Sequence, residues 1–208
     1  MQSHAPSQIC VFVFLCALLV LSVWAQPGNN EKPLRVKLTA VGQENCAGQS
    51  SSETSVVHLK LQLEITNLSG RKLIVAKSIG AAWYGIIFAK DEQAVAAGTY
   101  ESKLNIDWAV SESELQSPPI KAPPAGFTIL APGKSFRVES IVDIPANGLL
   151  QPGDHVLQLD LGTWPHVTPA EQFKASWKKY GELVYEPVKS EPLPFHVPLE
   201  ADFTKCRI

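Results

Sequence analysis

The chain has 208 residues, 45% of them hydrophobic and 18% charged, with a formal net charge of −2. That length suits one domain around a single core and is short for two large ones. No basic run and no acidic tail is present, so the electrostatic footprint of a nucleic-acid binder is missing.

The chain begins with an apolar run from Ile9 to Val23, ICVFVFLCALLVLSV. At ~1.5 Å rise per residue the run is short for a ~30 Å hydrocarbon core. Val23-Trp24-Ala25 then offers small residues at −3 and −1 for cleavage before Gln26. This pattern predicts a signal peptide over 1–25, and a secreted or periplasmic protein. Met1 to Gln8 carries no Lys or Arg, and the alternative is an uncleaved membrane anchor over 9–25. Cleavage would remove Cys10 and Cys16 and leave Cys46 and Cys206. In an oxidising compartment this pair is expected to bridge.

Residues 26–33 form a polar leader, and 34–208 read as one β-sandwich domain. Leu34, Val36, Leu38 and Ala40 alternate with polar residues, which predicts a strand. Gly42 to Thr54 reads as a polar loop. Val57, Leu59, Leu61, Leu63 and Ile65 then alternate with His58, Lys60, Gln62, Glu64 and Thr66. Such a strand has one buried and one wet face, the usual antiparallel arrangement. Asn67-Leu68-Ser69-Gly70 supplies turn chemistry, and Leu73 to Ala76 is expected to return as the partner strand. Trp83 to Ala89 reads as a buried strand, turned back at Asp91-Glu92-Gln93. Leu104, Ile106 and Trp108 alternate again. Ser111 to Gly126, with four prolines, is a loop. Phe136 to Ile144 is a strand ended by Pro145, Asn147-Gly148 a turn pair, and Val156 to Leu161 a strand.

The period then changes. Thr168-Pro169-Ala170-Glu171 spells a capping box with Pro at the first helical position. Phe173, Trp177 and Tyr180 share one helical face, and Gly181 stops the helix. This predicts one inserted α-helix at about 169–180. Leu183 to Tyr185 and Phe195, Val197 and Leu199 give closing strands, the last at an edge because of Pro198. The strand count and turn spacing predict an all-β antiparallel sandwich.

Ile129-Leu130-Ala131-Pro132-Gly133 and Leu149-Leu150-Gln151-Pro152-Gly153 repeat one device, a Pro-Gly turn leading to a strand. On this pattern the chain resembles secreted bacterial immunoglobulin-like β-sandwich domains, over Leu34 to Phe203. The resemblance implies a fold and carries over no active site.

Candidate chemistries are few. Gly133-Lys134-Ser135 looks like the tail of a phosphate-binding loop, but Thr128 stands where that motif needs its first glycine. The residues after Ser135 are strand formers, whereas the motif must open a helix. Pro132-Gly133 instead fits a type II turn. His58, His155, His166 and His196 show no metal-ligand spacing; His58 belongs to a solvent face, and the His155 ring is placed to bond turn backbone. No Gly-x-Ser-x-Gly elbow occurs. Asn67-Leu68-Ser69 is an N-glycosylation sequon that the turn alone explains. Trp164, Phe173, Trp177 and Tyr180, with Lys174 and Lys178 around them, form either a helix lid packed on the sandwich or a partner surface.

The reading is thus an exported, non-catalytic module with a protein-binding or assembly role at the cell envelope. It expects no cofactor, no metal and no nucleic acid. The partner would be an envelope protein or glycan, with membrane contact only if the N-terminal segment stays uncleaved. The alternatives are a small-ligand or metal carrier, and a hydrolase whose site is assembled across strands.

Overall fold

Alternation along one segment builds the first sheet. In β2 (Val56–Asn67) the residues Val57, Leu59, Leu61, Leu63 and Ile65 are all buried, and those between them are half-buried or paired. A computed structural model describes residues 32–48, 54–78, 83–107, 116–145, 150–199, 203, 204 and 206. Lys32–Ile208 is one compact unit, and the signal segment and leader residues 26–31 lie outside the described residues. So do Trp108, the Asn147-Gly148 turn and residues 49–53 of the predicted polar loop.

β2 is central in a three-stranded antiparallel sheet, between β1 (Leu34–Cys46) and β7 (Ser135–Pro145). β1 runs past its expected end at Ala40. A register shift between Ala40 and Gly42 leaves Val41 exposed, and pairing then continues to Cys46. The polar residues beyond the bulge have little strand preference of their own; the long partner strand supplies it.

The opposing sheet is built on β8 (Gly153–Leu161). It pairs on one side with β4 (Trp83–Ala89), which pairs in turn with β5 (Ser102–Asp107). On its other side lie β10 (Val188–Lys189) and β11 (Leu193–Val197). The break between these two is plugged by Ser190. Its N–H donates to the Leu159 carbonyl, and its hydroxyl oxygen accepts from the Leu159 N–H. The next amide, Glu191, donates to Val36 of β1, so this segment closes the gap between the two sheets. Inner faces meet in one core of β2 leucines with Ile86 and Phe88 of β4 and Leu157, Leu159 and Leu161 of β8. The architecture is all-β and sandwich-like, with antiparallel pairing throughout the two large sheets.

Among the described residues there are two helices, where one was expected. α1 (Glu92–Ala97) replaces the turn read at Asp91-Glu92-Gln93. Asp91 caps it by accepting from the Ala94 N–H, and Gly98 ends it at φ 71, the left-handed stop that glycine allows. α2 (Glu171–Trp177) is shorter than 169–180 and starts at an N-cap, Ala170, with no side-chain bond. The capping box does not form. Thr168 turns its hydroxyl to Ser117 and its carbonyl to the Trp164 Nε1–H.

The main correction concerns β3 (Leu73–Ala76). It does not return along β2. It pairs with β6 (Phe127–Leu130), a strand absent from the sequence reading, and in parallel with β9 (Glu182–Leu183). All four residues of β3 are buried, as expected for a strand covered on both faces. Leu73 and Val75 join the sandwich core. Ile74 and Ala76 join a second core with Phe127, Phe173, Trp177 and Leu183. Gly181 has a further reason to be glycine: a Cβ there would sit 2.8 Å from the Lys72 carbonyl oxygen.

Cys46 and Cys206 form a disulfide with Cα atoms 5.2 Å apart. Backbone bonds between Thr204 and both Asn45 and Ala47 align the two segments. The bridge closes a sequence separation of 160. Replacing both cysteines by serine is expected to cost roughly 2–5 kcal/mol, read as a lower urea midpoint with an oxidised wild-type control.

Candidate functional site

The Pro-Gly stretch is a turn. Lys134 N–H donates to the Ala131 carbonyl across Pro132-Gly133, and Gly133 has φ 68, as a type II turn requires at that position. Gly153 of the second Pro-Gly has φ 137, so the sequence echo is not a backbone echo. The turn docks on Asn67, whose N–H donates to Lys134 and whose carbonyl accepts from Gly133.

Asn67 is fully buried. Its Nδ2 donates both hydrogens, to the Arg71 and Leu130 carbonyls, at 2.7 and 2.8 Å. Its Oδ1 accepts from the Ser69 amide and hydroxyl. A glycan would need the nitrogen that these bonds occupy. The folded protein, expressed through an N-glycosylating secretory pathway, is therefore expected to carry unmodified Asn67 by intact-mass measurement. Asn67→Ala is expected to cost about 2–4 kcal/mol, because it leaves buried carbonyls and an amide unpaired.

The histidines do not converge. His58 pairs with Asp143 directly across the β2–β7 ladder, at 2.6 Å. His196 pairs with Asp154 across β11–β8, at 2.7 Å. Buried His155 bonds the Gln151 carbonyl through Nε2, the turn-backbone contact its position suggested, and Glu101 through Nδ1. His166 stacks on Phe127 in the second core. Glu44, Cys46 and Cys206 bring three donor atoms together, but both sulfurs are spent in the disulfide. A bridged sulfur is not the thiolate a metal needs, and the Glu44 carboxylate, held below its usual pKa by its hydrogen bond and charge pairing with Lys60, already has a partner.

The residues named as an interaction surface divide into two sets. Phe173 and Trp177 are buried, at 1% and 0% exposure, so they are core and not surface. Rings on the α2 side face Ile74 and Ala76, the side of β3 left uncovered by the sandwich, together with Leu183 of β9. Phe127 meets Trp177 edge-on at 5.2 Å, and Phe173 meets it at the same distance. The Trp177 Nε1–H donates to the Pro119 carbonyl. Trp164 and Tyr180 are half-buried at the rim, whereas Lys174 and Lys178 are exposed. Trp177→Ala is expected to cost about 3–5 kcal/mol, and Trp177→Phe less, by chemical denaturation.

The bond to Pro119 and the Ser117–Thr168 pair bring the Pro-rich segment against the helix. The Pro-rich loop and the helix segment thus adjoin, with Ile120 and Val167 exposed at 65% and 62%; residues 111–115 lie outside the described part.

Outside the aromatic cluster lies a groove of about 550 Å³. It is lined by Arg71, Lys72, Lys174, Lys178, Lys179, Tyr180, Gly181, Glu182 and Leu183. The Tyr185 hydroxyl accepts from Lys174 and holds that ammonium above its usual pKa. A second hollow, along α1, is lined by Glu92, Tyr100, Gln158 and Lys189 among others, and has no dominant charge.

The groove was only partly visible in the sequence. Lys174, Lys178 and Tyr180 were singled out, but Arg71 and Lys72 come from the β2–β3 connection, a distant segment whose approach follows from the β3–β9 pairing.

No protein-family model matches the chain. No curated protein matches it at a significant level. Among solved structures, an X-ray structure of Northeast Structural Genomics Consortium target SoR45 is similar over 85% of this chain and 94% of its own, with 14% identity and a TM-score of 0.34. A likeness of that size assigns neither relative nor role.

Proposed function

We propose that this protein is an exported, non-catalytic, immunoglobulin-like β-sandwich that binds an envelope protein by strand addition. The observation that carries the reading is the outer edge of β7. This strand runs for 11 residues and follows β2 without a register shift. No described strand pairs with its other edge.

Edge strands are usually blunted by shortness, bulges, proline or inward-pointing charge. β7 is long and unbulged, and its proline comes only at the end. Its inward positions are Phe136, Val138, Ser140, Val142 and Ile144, with Phe136 and Val138 only half-covered. Its charged residues, Arg137, Glu139 and Asp143, lie on the opposite face, where Ile141 is also exposed. An added strand would satisfy the open amides and carbonyls and finish covering Phe136 and Val138. β5 has six residues and β6 has four. β1 is longer, but its edge is broken by the bulge between Ala40 and Gly42 and meets the Glu191 amide at Val36.

Export is supported by the N-terminal apolar run and by the disulfide, which persists in oxidising compartments. Among the described residues no helix is long and apolar enough to cross a membrane.

A photoreactive amino acid placed at Ile141 in the producing cells tests the proposal. The expected result is one dominant protein adduct, absent when the same group replaces Lys103 on β5. Equal labelling from both positions, or none from Ile141, overturns strand addition.

A further inference from the structure

The cations of the α2 groove carry a second inference, independent of the β7 edge. The chain holds 18 Lys and Arg in all, and five of them line this one groove. Arg71 is matched by Glu182, with nitrogen and oxygen 2.7 Å apart. Among the described residues, no carboxylate forms an ion pair with Lys72, Lys174, Lys178 or Lys179. Lys174 bonds a tyrosine hydroxyl, and Lys179 sits over the Tyr180 ring at 5.0 Å. Lys174 also feels the Glu171 and Glu186 carboxylates without an ion pair to either, while Lys72, Lys178 and Lys179 have no paired carboxylate among the described residues, so the groove keeps a positive excess.

Lysines near a helix C-terminus have an ordinary explanation, since they complement the helix dipole. That accounts for Lys174, Lys178 and Lys179. It does not account for Lys72, which arrives from the strand side of the groove. Two separate segments therefore place like charges around one hollow, at an electrostatic cost that an anion would remove. Lys presents a point charge, without the planar fork with which Arg grips a single carboxylate. Several such points around a groove suit a ligand that carries several anionic groups. The volume falls in the range of small-molecule sites, and Tyr180 and Leu183 add apolar surface.

We propose that this groove binds a sugar-sized polyanion, a ring carrying two or more phosphate groups, held by Lys72, Lys174, Lys178 and Lys179. The ring comes either as a free sugar phosphate or as the headgroup of a phosphorylated glycolipid.

The test titrates the full chain with a hexose bisphosphate, with inorganic sulfate, and with phosphatidylcholine vesicles with and without a bis-phosphorylated glycolipid. Saturable binding of the hexose bisphosphate, tighter than sulfate and weakened by added salt, is expected. Lys72→Gln and Lys178→Gln should each weaken it about fivefold, with unchanged melting, while Lys37→Gln on β1 should not. Soluble binding points to a free sugar phosphate. Lysine-dependent binding only to glycolipid vesicles points to the headgroup. Failure of both probes at millimolar concentration, affinity equal to that for sulfate, or insensitivity to the Lys72 and Lys178 changes overturns the proposal.

Discussion

A single buried amide side chain holds this fold in register. Asn67 ends β2, and its backbone and side chain together bind the Pro-Gly turn, the Arg71 carbonyl, the Leu130 carbonyl and Ser69. The neighbouring Leu68 amide reaches back to Pro33, just before β1. Five strand ends meet here, those of β1, β2, β3, β6 and β7. A buried polar group is costly unless every valence is met. Asparagine meets them all, because it offers two donors and an acceptor with two lone pairs in one plane. Aspartate lacks the donors, and an apolar residue lacks both. The chain leaves β2 for β3 only through this junction, so it sets where the small β3–β6–β9 sheet stands against the sandwich.

Where a strand faces water on one side, the residues said so. β2 alternates from Val56 to Ile65 as expected, and the pattern breaks only at its end, where Thr66, expected on the wet face, is buried and bonds the Ser135 hydroxyl. β7 followed the same logic and Pro145 ended it as expected, whereas β8 buries Leu157, Leu159 and Leu161 as expected but also His155 and, on its other face, Val156 and Gln158. What alternation could not give was the order of strands. Leu73-Ile74-Val75-Ala76 has no period, because both faces are dry, and proximity in sequence pointed to the wrong neighbour. β6 is four residues long, and its strand character was hidden by the conspicuous turn that follows it. α1 did carry its signals, a capping Asp91 and a terminal Gly98, yet six residues with no buried side chain give no periodicity to weigh.

The aromatic helix face shows the same limit at the level of the site. Spacing put Phe173, Trp177 and Tyr180 on one face; Phe173 and Trp177 do share it, and Tyr180 lies past the helix end at its rim. Spacing cannot say whether the face looks outward or inward. The unpartnered side of β3 decides it, and that side is known only once β3 is placed. The burial of the rings then leaves the lysines outside, and Lys72 joins them through a pairing between residues more than a hundred positions apart. A surface first read as aromatic becomes a cationic one.

β3 has one more consequence. Its odd residues belong to the sandwich core and its even residues to the core under α2. A helix lid resting on its own strands could swing away and leave the rest intact. Here the lid rests on a strand that the larger core also owns. Lifting α2 would wet Ile74 and Ala76, while Leu73 and Val75 stayed locked in place. The α2 layer can thus open as a unit below the global transition, with β3 as the boundary at which that opening stops.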